Sequence, residues 1–249
     1  MKKAVRYVTV AGIWLAVWEI AAICVGEGIL LPRVEDTVSA LIRTGAKSET
    51  WLSVGASVLR VTGGIITGML TGCVLGAVCA FSRFLDDLFT PLVTVIKATP
   101  VASFIILAFV WIPVNLVPVF TAFLIVTPIF HTNVFTALKN TDRNMLELAQ
   151  VYNMSFIRRL TEIYIPSAAA AFTSALTSSV GMGWKASVAA EVICRNRQSI
   201  GGGLYSAKIS LDTADVFAWT VLVVVLSLVF EKSAIALIKR AGARRNGDG

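Results

Sequence analysis

Charge is scarce in this chain: only 15% of its 249 residues are Asp, Glu, Lys or Arg, against 56% apolar residues and a mean hydropathy of +0.78. Soluble domains carry about 25% charged residues, so a water-covered globular surface is excluded and an integral membrane protein is expected. Histidine occurs once, at His131, with no second histidine or nearby carboxylate to form a proton relay, and it is expected to be a hydrogen-bonded structural residue. The four cysteines, Cys24, Cys73, Cys79 and Cys194, show no CxxC spacing and read as small hydrophobes. A bridge from Cys24 to Cys194, both near one predicted membrane face, is the less favoured alternative. No GxxxxGK[ST] phosphate loop occurs, since Gly181-Met182-Gly183-Trp184-Lys185 lacks its spacing. With no metal cluster and no nucleophile beside a base, neither an enzyme nor a cofactor is expected. The net charge of +7 reads through its distribution along the chain, as below, and gives no reason to expect nucleic acid.

Long apolar runs fill the space that charge leaves. Six of them, at Tyr7 to Val25, Val61 to Phe81, Leu92 to Trp111, Val117 to Leu138, Ala168 to Ile193 and Val216 to Ile238, are each long enough to cross a bilayer. The chain therefore reads as all-α, with six transmembrane helices. The first run resembles a secretory signal but contains Trp18 and Glu19 and lacks a cleavage site, so it reads as a retained anchor. Thirteen Lys and Arg fall on the side of the termini and seven on the other, which places both termini in the cytoplasm. Residues 1–55 form the anchor and an outer segment, 56–240 the core with a cytoplasmic loop at 139–167, and 241–249 a polar tail expected to be disordered. The outer segment carries a short helical pattern through Val34, Val38, Leu41 and Ile42.

Several spans carry residues that a lipid-facing helix does not need. Gly64, Gly68, Gly72 and Gly76 recur every fourth position and form a bare ridge for tight helix packing, against a partner the sequence does not name. Pro100, Pro118 and Pro128 either kink a pathway helix or merely punctuate membrane helices. In the fifth run Ser174, Thr177, Ser178, Ser179, Gly181 and Gly183 indicate burial in protein, either by packing or around a wet cavity. Among ionisable residues inside runs, Lys97 is near enough to the cytoplasmic end to snorkel. Glu19 and Lys185 sit at matching depth and are expected to pair; Glu191 reads as interfacial.

The cytoplasmic loop holds Glu147-Leu148-Ala149-Gln150-Val151-Tyr152-Asn153, nine further residues, then Ile163-Tyr164-Ile165-Pro166. This predicts a helix, a sharp bend at Asn153 in left-handed backbone, and a second helix. Phe156 and Ile157 extend its apolar face between Arg143 and Arg158-Arg159. By composition alone, such a segment lies on lipid or plugs into a soluble partner.

The spacing resembles the EAA-x3-G-x9-I-x-L-P signature of ABC importer permease subunits, in the branch of nitrate, sulfonate, taurine and bicarbonate permeases. Leu148 and Asn153 depart from the signature's Ala and Gly. The likeness extends through Ser57-Val58-Leu59-Arg60, Thr99-Pro100, Gly202-Gly203-Leu204 and the run from Asp212 to Ala218. It implies the type I importer permease architecture in a cell membrane, a homodimer, a cytoplasmic ATP-binding subunit and an extracytoplasmic solute-binding protein. The solute would be small, such as a sulfonate, nitrate or a vitamin precursor. Glu147, Leu148, Ala149, Tyr152, Asn153, Phe156 and Ile157 would couple to the ATPase, and Ser174, Thr177, Ser178 and Lys185 would border the pathway. An ion-coupled secondary transporter is the alternative, but the midplane carboxylates and inverted repeat it would show are missing.

Overall fold

The computed structural model describes the backbone of residues 2–246 and the side chains of residues 5–236. Among these, all regular structure is helical: α1 (Lys2–Val25), α2 (Val34–Gly45), α3 (Ser48–Phe81), α4 (Arg83–Ala98), α5 (Val101–Trp111) and α6 (Val117–Lys139) are followed by α7 (Arg143–Val151), α8 (Phe156–Arg159), α9 (Ile165–Ile193), α10 (Ile200–Ile209) and α11 (Thr213–Asn246). The basic side chains of Lys2, Lys3, Lys239, Arg240, Arg244 and Arg245 and the tail residues 247–249 lie outside the described set. Residues 241–246 of the expected tail continue α11, through the helix formers Ala241, Ala243, Arg244 and Arg245.

Two compact units emerge, 1–57 with 195–226, and 58–194 with 227–249. In the first unit Trp18 Nε1 donates to the Pro32 carbonyl at 3.1 Å, and its ring lies tilted against Phe217 at 5.4 Å. The Glu19 carboxylate accepts from the Val34 N–H at 3.0 Å. Glu19, expected to pair with Lys185, thus caps the orphan donors at the start of α2, where a negative charge also meets the positive end of the helix.

In the second unit the glycine ridge of α3 lies against α6. A Cβ at Gly72 would stand 2.5 Å from the Thr127 carbonyl oxygen and 2.7 Å from Phe130 Cβ, and one at Gly68 would stand 2.9 Å from the Phe123 carbonyl oxygen. Gly64 and Gly76 are equally close to the backbone of Val119 and His131. Without side chains on the ridge the two backbones touch, which supplies dispersion contact where lipid offers no hydrophobic drive.

Among the described residues, four helices are long and apolar enough to cross a bilayer, within α1, α3, α6 and α11. The expected continuous span from Leu92 to Trp111 is not one helix: it breaks at Thr99-Pro100, and α4 and α5 meet at 105°. Pro100 forces its predecessor out of helical backbone, and Thr99 is extended (φ −81°, ψ 131°). Pro118 lies in the first turn of α6, where the missing donor costs nothing, and Pro128 alone of these three prolines is internal to a helix. The fifth expected span is α9, 29 residues long and packed along α6; its Ser, Thr, Gly, Lys and Glu content keeps it out of the set of apolar spans.

Candidate functional site

The loop between α6 and α9 forms as its sequence predicts. Asp142 caps α7 by accepting from the Asn144 N–H at 2.9 Å. At the other end Asn153 has φ 49°, the Met154 N–H donates to the Ala149 carbonyl at 2.9 Å, and the Asn153 N–H donates to the Gln150 carbonyl at 3.0 Å. These two bonds with a left-handed residue between them are a Schellman ending, and Asn tolerates the conformation nearly as well as Gly. Ser155 then caps α8, accepting from the Arg158 N–H.

This bend turns the apolar residues outward. Leu148, Val151, Tyr152, Phe156 and Ile157 are 54–76% exposed, and Glu147 and Asn153 are exposed as well. Ala149 is the exception among the expected coupling residues: it is buried and seats α7 on the body of the unit. Two ion pairs stiffen the patch, Arg143 Nε to Glu147 at 3.0 Å and Arg158 Nε to Glu162 at 2.9 Å. The hydrogen bond and charge of Glu162 raise the Arg158 pKa above its ordinary value. Phe81 at the end of α3 anchors the far side, edge-on to Phe156 at 5.8 Å and to Tyr164 at 5.1 Å. Leu160–Tyr164 winds as a π-helical turn in which the Ile165 N–H reaches back to the Leu160 carbonyl. The wider turn leads directly into Pro166, which has no N–H to continue the ordinary ladder.

α9 has two chemically distinct faces. Ala175, Ser179, Val180, Gly183, Trp184, Ser187, Val188 and Glu191 are buried, while Ser174, Ser178, Met182, Lys185 and Ala189 are exposed. Burial in protein thus holds for one side of the helix only. Thr177 and Ser178 turn their hydroxyls back onto the Thr173 and Ser174 carbonyls of their own helix, at 2.9 and 3.1 Å. They make no bond across helices.

Two expectations are corrected in the second unit. Glu191, expected to be exposed at the interface, is fully buried and accepts from Arg60 Nη1, within α3, at 3.2 Å. Trp184, Ser187, Val188 and Glu191, at i, i+3, i+4 and i+7, share the buried face, a periodicity that identifies Glu191 as internal. His131 is buried, but neither ring nitrogen has a hydrogen-bond partner among the described residues; its ring stacks on Phe135 at 5.9 Å. Lys97, expected to snorkel, donates to Thr132 Oγ1 at 2.6 Å. All four cysteines are free thiols.

The first unit contains a cleft of about 380 Å³ lined in part by Lys47, Glu49, Arg197, Asp212, Asp215 and Trp219. Arg43 Nη2 binds Asp215 at 2.8 Å and Asp212 at 3.5 Å, and these acids raise its pKa, Asp215 most. The Gly202-Gly203 pair is required here: a Cβ at the first would collide with the Asn196 carbonyl, and at the second with the Trp219 ring.

Comparison with known proteins matches residues 68–242 to the model of a family described as binding-protein-dependent transport system inner membrane component. The chain is 27% identical to a putative aliphatic sulfonates transport permease protein of Escherichia coli, over 93% of this chain and 88% of that one. It is 26% identical to a nitrate import permease protein of Synechocystis, over 77% and 72%. With a taurine transport system permease protein of Escherichia coli it shares 22% identity over 90% and 83%. Its fold resembles that of an amino acid ABC transporter crystal structure, with TM-score 0.58, 16% identity, and coverage of 77% of this chain and 92% of that chain.

Proposed function

The chain belongs to the family of inner membrane components of binding-protein-dependent transport systems, and from that membership we propose that it conducts a small anion, such as a sulfonate or nitrate. Permeases named for aliphatic sulfonates, nitrate and taurine all handle solutes bearing a negatively charged oxygen group. ATP is hydrolysed by a separate cytoplasmic subunit, an extracytoplasmic protein delivers the solute, and two copies of this chain enclose the pathway. Six crossings, with α4 and α5 as one bent span and α9 shielded by its neighbours, put both termini in the cytoplasm.

One observation carries the coupling role: the capped, Schellman-ended turn of α7 and α8 presents Leu148, Val151, Tyr152, Phe156 and Ile157 outward between two long helices. A rigid apolar knob flanked by ion pairs suits a groove on a soluble partner better than a lipid surface, because the left-handed bend holds it in one shape. Glu147, Leu148, Tyr152, Asn153, Phe156 and Ile157 make the contact, with Ala149 as its seat. Ser174, Thr177, Ser178 and Lys185 on the open face of α9 border the pathway.

Reconstitution tests this directly. The chain with its ATP-binding and solute-binding partners in vesicles should take up solute only with ATP inside, and dissipating the proton gradient should leave uptake unchanged. Uptake by the purified chain alone, or uptake that collapses with the gradient, would sink the reading.

A further inference from the structure

α4 carries three stripes of different chemistry. Leu85, Phe89, Val93 and Ile96 are partly or fully buried and form its contact with the rest of the unit. Phe84, Leu88, Leu92 and Val95 are 54–74% exposed and wholly apolar, as a lipid-facing stripe is. Asp86, Thr90, Thr94 and Lys97 are polar, and all but Asp86 are exposed. Each polar position follows a lipid-facing one by two residues, which turns the stripe by about 200°. The two open sides of α4 therefore look in nearly opposite directions, one toward a medium that accepts phenylalanine and one toward a medium that accepts threonine and an ammonium group.

Charge accounting sharpens the contrast. At Arg60 the chain matches a cation within the helices with the carboxylate of Glu191. At Lys97 no carboxylate among the described residues does so: the ammonium donates to the hydroxyl oxygen of Thr132, whose own O–H donates to the Pro128 carbonyl at 2.9 Å. Asp86, on the same stripe, is occupied by the Thr90 hydroxyl at 2.6 Å and lies about 16 Å away along the axis. Two of the three N–H groups of Lys97 thus remain unused by the described residues, two positions before the 105° bend. The Thr94 hydroxyl donates to the Thr90 carbonyl at 2.8 Å and would exchange that bond for one to a ligand.

We propose that Lys97, with Thr94 and Thr132, is an anion-binding step in the inner half of the permeation pathway, where the ammonium supplies the positive charge and the hydroxyls complete the coordination of a nitrate-like or sulfonate-like group. The step rests on the reading that the solute is an anion. Selectivity would then reside partly in this chain and not only in the protein that delivers the solute.

The test uses the complete transporter in lipid nanodiscs, with Cys24→Ser removing the exposed native thiol. Thr94→Cys, which retains Lys97, is labelled with anionic or cationic methanethiosulfonate, and each rate is divided by that of a free thiol in solution. The normalised anionic rate should exceed the cationic one at least tenfold, nitrate or ethanesulfonate should slow it, and Lys97→Gln should abolish the preference while Lys97→Arg keeps it. Val95→Cys, on the lipid-facing stripe, should stay unlabelled. The step is overturned if Thr94→Cys is as inert as Val95→Cys, or if the anionic preference survives Lys97→Gln; either result leaves the importer reading standing. An uncharged or cationic solute on the co-purified solute-binding subunit would instead remove the anion reading itself.

Discussion

Glycine and glutamate show how much single residues decide here. Gly72→Ala forces a methyl within 2.5 Å of the Thr127 carbonyl oxygen, and the α3 and α6 backbones must part. The expected cost is about 1–3 kcal/mol, read as a lowered melting temperature in detergent. Gly63→Ala is the matched control: nothing lies within 4 Å of its added Cβ, so helix propensity makes it neutral or stabilising. Glu191→Ala should be more damaging, because it removes a fully buried carboxylate that accepts from the Arg60 guanidinium at 3.2 Å. Losing one partner of a buried pair costs about 3–5 kcal/mol, and poor recovery of folded protein would accompany it. The ridge was legible as a glycine period; its partner α6 was not, since a bare surface carries no mark of what will cover it. The Arg60–Glu191 pair was missed because the two residues lie far apart in sequence and each sits near the end of an apolar run.

At the scale of elements, the loop between α6 and α9 and the break between α4 and α5 behave differently as sequence problems. The loop is local: a cap at Asp142, a left-handed residue at Asn153 and a cap at Ser155 lie within fourteen residues and dictate its shape. Asn153→Gly should preserve stability and solute-stimulated ATPase activity of the assembled complex. Asn153→Val places a β-branched residue at φ 49°, which costs about 1–2 kcal/mol and should depress that activity by loosening the bend. Thr99-Pro100 was equally visible, but apolarity on both sides disguised a bent pair as one straight span. Hydropathy counts length in lipid and is blind to direction.

For the whole molecule, the decisive expectation is mechanical. Glu147→Arg removes the ion pair with Arg143 and reverses the charge beside the exposed apolar patch. The variant should insert and purify normally yet lose most solute-stimulated ATPase activity in the assembled complex; full coupled activity would count against docking at this loop. Membrane residence and helical class followed from composition alone. The two faces of α9 did not, because small residues and hydroxyls suit either a packed seam or an open one, and only the neighbouring helices distinguish them.

Composition determined a membrane-embedded helical chain, and short-range patterns determined the capped bend at Asn153 and the glycine ridge, because hydropathy and backbone strain act over a few residues. Tertiary structure decided which helix the ridge meets, that Glu191 is an internal countercharge for Arg60, that Glu19 caps α2, and that Lys97 meets Thr132 of α6. Burial and charge pairing depend on residues brought together from distant parts of the chain, and no local pattern encodes that meeting.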